Sequence, residues 1–86
     1  MKKWFIYIIQ CGDGSFYTGI TSDPKRRFAE HKQGKGGFYT RKKKAKDLLY
    51  IEEFLAKKKA LQREKQIKGW TRVKKLKLIT GELKPA

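Results

Sequence analysis

The chain has 86 residues, room for a single domain spanning 1–86, and no shift in composition marks a second. Its 23 lysines and arginines against 8 acids give a formal charge of +15, a self-repulsion that opposes compaction and points to a polyanionic partner, DNA with RNA as the alternative. One cysteine, Cys11, excludes an internal disulfide and a thiolate metal cluster, while the longest apolar run, Trp4 to Ile9, is too short to cross a bilayer and Met-Lys-Lys-Trp does not open a signal peptide. No membrane partner is expected, and the expected compartment is the cytoplasm or the nucleoid within it.

Trp4-Phe5-Ile6-Tyr7-Ile8-Ile9 is apolar on both faces and rich in aromatic and β-branched residues, the pattern of a central strand. Gly12-Asp13-Gly14 breaks it and Ser15 to Ile20 resumes strand-like composition, which predicts a hairpin. A two-residue Asp13-Gly14 turn would pair Tyr7 with Ile20 and send the Tyr7 and Tyr17 rings to opposite faces. A three-residue loop would instead pair Ile9 with Tyr17 and Tyr7 with Gly19, so that both rings share a face. Gly14 suits the left-handed third position of such a loop, and Gly19 leaves space opposite the Tyr7 ring, so the three-residue loop is expected.

Asp23-Pro24 predicts a helix start, with Asp at the N-cap and Pro in the first turn, running to about Lys32 and stopping at Gly34. Phe28 and Ala29 are its expected packing residues. Lys35 to Lys46 reads as a basic, glycine-containing connection, and Leu48-Leu49-Tyr50-Ile51 as a third strand. A helix is predicted over Lys57–Lys68, ending at Gly69, and Thr71 caps a last short helix holding Val73 and Leu76, with Gly81 beyond its end. The fold class is α+β, a three-stranded antiparallel sheet flanked by helices.

Several side chains could carry chemistry. Glu64 falls near the middle of the stripe formed by Ala60, Leu61 and Ile67, where the helical pattern calls for an apolar residue. A carboxylate there is either a ligand for a metal or half of an ion pair, with Arg27 as a natural partner. Arg27 and His31 stand one helical turn apart and share a face. Arginine grips a phosphate with two prongs, and histidine relays a proton or binds phosphate; the plainer readings are a solvated cation and a favourable charge at a helix C-terminus. Phe38 and Tyr39 sit inside the basic connection with Lys35, Arg41, Lys42, Lys43 and Lys44. Bases stack on such rings while cations follow the backbone, although one ring, Phe38, is expected to plug the core. Glu52 and Glu53 are adjacent and would face opposite ways on a strand. No Gly-rich phosphate loop or paired-histidine metal motif is present.

Taken together these residues resemble the GIY-YIG nuclease family, specifically its small stand-alone bacterial members, over roughly Trp4 to Ile79. Ile6-Tyr7 stands at the first signature, with Phe5 in place of the name-giving glycine, and Tyr17-Thr18-Gly19 stands at the second. Arg27 matches the family's catalytic arginine, His31 follows as in many members, and Glu64 matches its single metal-holding acid. Tyr39-Thr40-Arg41 and the stretch from Ala60 to Lys68 also look like the stand-alone subgroup. The resemblance implies hydrolysis of DNA through one divalent metal ion, Mg2+ or Mn2+, held by Glu64. It also implies that Tyr7 takes the proton of the attacking water, Tyr17 positions it and Arg27 steadies the phosphate. A nucleic-acid-binding module that does not cleave, or an RNA-associated basic protein, are the competing expectations. Specificity would come from substrate structure or damage, or from a protein partner.

Overall fold

In the structure, a computed structural model that describes residues 2–83 apart from the side chain of Phe38, the chain order is ββααβαα. The elements are β1 (Trp4–Cys11), β2 (Phe16–Thr21), α1 (Pro24–Lys32), α2 (Phe38–Lys43), β3 (Ala45–Phe54), α3 (Lys57–Lys68) and α4 (Arg72–Thr80). The strands form one antiparallel sheet in the order β2-β1-β3, which puts the apolar run of β1 in the middle. Ile6, Tyr7, Ile8 and Ile9 are all buried, which explains why this strand lacks an alternating pattern.

The three-residue hairpin loop forms as expected. Cys11 N–H donates to the Ser15 carbonyl at 2.8 Å, Gly14 has φ 87°, and the register pairs Ile9 with Tyr17 and Tyr7 with Gly19. Asp13 organises the loop by accepting from the Ser15 N–H and hydroxyl and pairing with Lys43 at 2.9 Å.

Side chains alternate across β1 and so serve two cores. Tyr7, Ile9 and Cys11 form one with Tyr17, Phe28, Ala45 and Leu48, beneath α1. Ile6 and Ile8 form the other with Ala60, Ile67 and Leu78, so that α3 and α4 cover that face, joined by Phe16, Ile20, Phe54 and Trp70 at its margin. Burying each such aliphatic side chain contributes about 1.5–3 kcal/mol.

Helix α1 starts at its Asp23 cap, which accepts from Arg26 N–H, and α3 ends at Gly69 as the sequence predicts. Several expectations fail in detail. The basic connection holds α2, a six-residue helix whose N-cap Gly37 supplies no side-chain bond, so tertiary contact rather than local propensity fixes it. The third strand is longer than predicted, from Ala45 to Phe54. Ala29 is exposed and Phe28 alone packs from that pair, while the expected core role of Phe38 falls on a side chain outside those described. Val73 and Leu76 are exposed too, because α4 turns Leu78 inward.

The largest departure lies in α3. Its inward face is Ala60, Arg63 and Ile67, whereas Leu61 is 43% exposed. Arg63 faces the sheet because β3 offers it Glu52: Nε donates to Oε1 at 2.9 Å, and the Tyr50 hydroxyl donates to the other carboxylate oxygen at 2.6 Å. Gln66 accepts from Arg63 Nη1 at 2.8 Å, and Trp70 lies 5.1 Å from the guanidinium carbon. Glu53, its neighbour, points outward to Lys3, so the two acids do diverge as the strand period requires. Replacing one partner leaves the other charge buried without compensation. Arg63→Ala is therefore expected to lower unfolding free energy by about 3–5 kcal/mol in urea titrations, and the double change Arg63→Met with Glu52→Leu to recover most of that loss.

Candidate active site

Tyr7 projects from the centre of β1 and is 2% exposed. Its ring lies across Gly19 on β2 so closely that a Cβ added there would stand 2.5 Å from the Tyr7 Cζ. Glycine at this position is thus a requirement of the ring's seat, and the three-residue loop is what brings the two into register.

The phenol is within 2.9 Å of His31 Nε2. His31 comes from the last turn of α1, is 1% exposed, and has its other ring nitrogen, Nδ1, 2.5 Å from the Thr40 Oγ1 of α2. The chain passes so tightly over this ring at Gly36 that any side chain there would collide with the imidazole. Tyr17 completes the cluster, its ring centroid 5.1 Å from His31 and 6.2 Å from Tyr7, and Tyr39 of α2 stacks on Tyr17 at 5.7 Å.

Arg27, one turn before His31, is held by two bonds. One of its Nη atoms donates to the Gly36 carbonyl at 2.8 Å and the other meets Glu30 at 3.1 Å, with a third of the side chain still exposed. Glu64 does not pair with Arg27 as one reading of the sequence allowed. It meets Lys68 at 3.4 Å, its own side chain 16% exposed and that of Lys68 53%. Its charge is nonetheless felt by the Tyr7 phenol. Tyr7, Tyr17, Arg27 and His31 are thus brought together, whereas Glu64 registers there only as a minor upward push on the Tyr7 pKa.

Burial pushes the Tyr7 pKa up to about 12, against the pull of the neighbouring Arg27 guanidinium, with smaller upward contributions from Tyr17 and Glu64. Burial likewise lowers the His31 pKa below its ordinary 6.5, and the Arg27 charge adds to this. Both rings are therefore neutral at pH 7. Two expectations for His31 are corrected here. Its enclosure, its lowered pKa and the contacts on both nitrogens argue against direct phosphate contact and against a standing positive charge at the end of α1.

The basic side chains expected at a nucleic acid lie on and before α2. Lys35, Arg41, Lys42, Lys43 and Lys44 are exposed, with Lys43 engaged by Asp13 and Tyr39 half-open beside them. A cleft of about 400 Å³ lined by Phe54, Lys59, Gln62, Arg63 and Gln66 belongs to the opposite face of the sheet. Thr40 entered the sequence reading only as part of the Tyr39-Thr40-Arg41 stretch, with no role of its own, and Gly36 did not enter it at all. The available signal was a pair of glycines followed by a hydroxyl residue downstream of a lone histidine.

Among the described residues no group of three or more histidines, cysteines and acids could hold a metal ion. Glu64 offers one hard carboxylate ligand, and among the described residues it pairs with the exposed Lys68. Such a donor suits a largely hydrated Mg2+ or Mn2+ whose remaining ligands are water and substrate phosphate, and does not make a preformed cage.

The GIY-YIG catalytic domain matches residues 3–77. The chain belongs to the GIY-YIG family. It is 46% identical over 79 residues to a UPF0213 protein of Staphylococcus epidermidis, a match covering 92% of this chain and 96% of that one. A UPF0213 protein of Staphylococcus saprophyticus is 46% identical over 80 residues, covering 93% of this chain and 98% of its own. The solution NMR structure of a UPF0213 protein from Bacillus halodurans superposes with a TM-score of 0.59 at 38% identity, covering 91% of this chain and 83% of that one. A solution NMR structure of an Enterococcus faecalis protein gives 0.63 at 35% identity, covering 100% and 93%. Membership of this nuclease family accounts for the three-stranded α+β fold, and the two tyrosines of this GIY-YIG chain sit on β1 and β2 as diagonal neighbours on one face of the sheet.

Gly19→Ala is expected to cost about 1–3 kcal/mol in thermal unfolding and to displace the Tyr7 ring from His31. The His31 imidazole shift then changes although the residue itself is untouched; an unchanged shift would contradict the tight seat described above.

Proposed function

We propose that this chain is a metal-dependent endonuclease that hydrolyses DNA phosphodiester bonds in the cytoplasm, selected by structure or damage rather than by sequence. The observation that carries the reading is the Tyr7 phenol, hydrogen-bonded to a buried neutral imidazole beside a fixed but accessible guanidinium. Phosphodiester hydrolysis needs a proton acceptor for the attacking water and positive charge at the phosphate, and these groups supply both.

Burial raises the Tyr7 pKa to about 12 and lowers that of His31, so moving the phenol proton to the imidazole before attack is uphill and a standing phenolate is not taken as the base. Tyr7 takes the proton of the attacking water as it hands its own to His31 Nε2, which makes His31 the final acceptor and Tyr7 the relay. That revises the simpler role implied by family resemblance. Arg27 grips the scissile phosphate and stabilises the charge that grows during attack. Glu64 would hold the divalent ion, whose chemistry there is charge neutralisation on the leaving oxygen.

Tyr39 offers a stacking surface for a base, and the α2 cations follow a sugar-phosphate strand. Phosphate contacts carry no sequence information, so substrate shape or a protein partner provides the selection. One observation favours a second reading, nucleic-acid binding with little or no cleavage: Glu64 already has a cation in Lys68.

Wild type and Glu64→Ala, incubated with labelled duplex, branched, nicked and single-stranded DNA and with RNA, separate these readings. The first expects cleavage with Mg2+ or Mn2+ that Glu64→Ala abolishes, while DNA affinity is equal or higher because a negative charge is gone. No cleavage of any substrate would leave only the binder, and equal cleavage by the variant would remove Glu64 from the reaction.

The acidity of the site makes a further expectation. Because His31 must be neutral and its pKa is lowered from the ordinary histidine value, log kcat/KM rises with unit slope only on the acid side of that value and is flat above neutrality. A rate that keeps climbing through pH 9 would show that a phenolate is the base after all.

A further inference from the structure

We propose that Thr40 is a positioning residue that fixes His31 as its Nδ1–H tautomer, holding Nε2 unprotonated as the acceptor for the Tyr7 hydroxyl. Its consequence for the relay rests on the nuclease reading above; the tautomer itself does not.

The argument is an inventory of donors and acceptors in a closed space. Neutral imidazole has one N–H and one bare nitrogen, and a histidine that is 1% exposed with both nitrogens in contact must match each to its neighbour. The neighbours are Tyr7 from β1 at Nε2 and Thr40 from α2 at Nδ1, with the Tyr17 ring against the imidazole. Arg27 and Glu30 are the charged groups that act on it.

The phenol settles the direction. Tyr7 keeps its hydrogen at neutral pH, and the nearby guanidinium of Arg27 can only donate, so it cannot receive the phenol hydrogen. Among the described side chains the acceptor within reach of that hydrogen is His31 Nε2. Nε2 must then be bare, Nδ1 carries the proton, and Nδ1–H donates to Thr40 Oγ1. The opposite tautomer would aim Nε2–H at the phenol oxygen and leave the Tyr7 hydroxyl hydrogen without an acceptor among the described side chains, whereas the Thr40 hydroxyl can rotate to accept from Nδ1–H. The Nε2–H form is nonetheless the tautomer that a free histidine side chain prefers, so something in the fold must override that preference. Tyr7 supplies the hydrogen that demands a bare Nε2, and Thr40 supplies the acceptor that lets Nδ1 keep its proton.

The placement of Thr40 is itself a tertiary effect. Helix α2 has six residues and an N-cap without a side-chain bond, and it follows Gly36, pressed against the imidazole, and Gly37 at φ 135°. Thr40 is 1% exposed on the inner side of this helix, between Tyr39, which stacks on Tyr17, and the exposed Arg41. The helix expected to meet the nucleic acid thus also orients the ring that receives the proton.

His31 is the one histidine of the chain, so a nitrogen-15 spectrum of the imidazole reports a single ring and reads its tautomer directly in the full-length protein. The expected result is the Nδ1–H form in the wild type at pH 7.5. Thr40→Val, nearly the same shape without an acceptor, shifts it to the Nε2–H form or a mixture, and Thr40→Ser keeps it. A wild type already in the Nε2–H form, or a Thr40→Val protein still in the Nδ1–H form, overturns the proposal. On a substrate that the wild type cleaves, Thr40→Val lowers kcat by about tenfold or more with KM little changed, and Thr40→Ser restores it. If the wild type cleaves nothing, the nuclease reading fails while the spectrum still decides the tautomer.

Discussion

The Tyr7 ring can lie across the sheet only because the residue opposite it, Gly19, has no side chain, and the rest of the site follows from that contact. With the ring in this position its hydroxyl reaches the end of α1, where His31 waits at 2.9 Å. A hairpin loop shorter by one residue would turn Tyr7 and Tyr17 to opposite faces, and no adjustment of α1 could reunite them. The register of one turn therefore decides whether the molecule has a tyrosine pair at all.

Burial gives this arrangement its chemical character. The same desolvation that keeps the phenol protonated keeps the imidazole neutral, so the two form a matched pair without a buried charge. Charge is confined to the rim, where Arg27 is anchored by Gly36 and Glu30 and the lysines of α2 stand in solvent. On the opposite face the strategy differs. There a full ion pair, Arg63 with Glu52, is enclosed, and Tyr50 and Gln66 satisfy its remaining polar atoms. With a formal charge of +15, neutralising an inward arginine with a strand carboxylate avoids adding a buried charge to the general repulsion.

Sequence and structure agree where the signal is local. The Asp23-Pro24 start of α1, the Gly69 stop of α3, the Thr71 cap of α4 and the Gly14 loop each rest on a backbone requirement that one or two residue types meet. They part where a side chain chooses between two surfaces. In α3 the periodic pattern favoured Leu61 as the inward residue, but Arg63 took the place because Glu52, eleven positions earlier, was waiting across the gap. In α4 the same ambiguity left Val73 and Leu76 outside. Helix α2 carries too many lysines and too weak a cap for its pattern to announce it.

From its amino acids alone the chain determined its class, its strongly positive charge, its hairpin register and the identity of Tyr7, Tyr17, Arg27, His31 and Glu64 as candidates. These are matters of composition, turn chemistry and spacing, which need no knowledge of distant neighbours. Only the tertiary structure decided that His31 is enclosed rather than solvated, that Thr40 is its partner, and that Glu64 faces Lys68 instead of Arg27. Hydrogen-bond direction and protonation depend on what else occupies the same few ångströms, and elements far apart in sequence supply those neighbours.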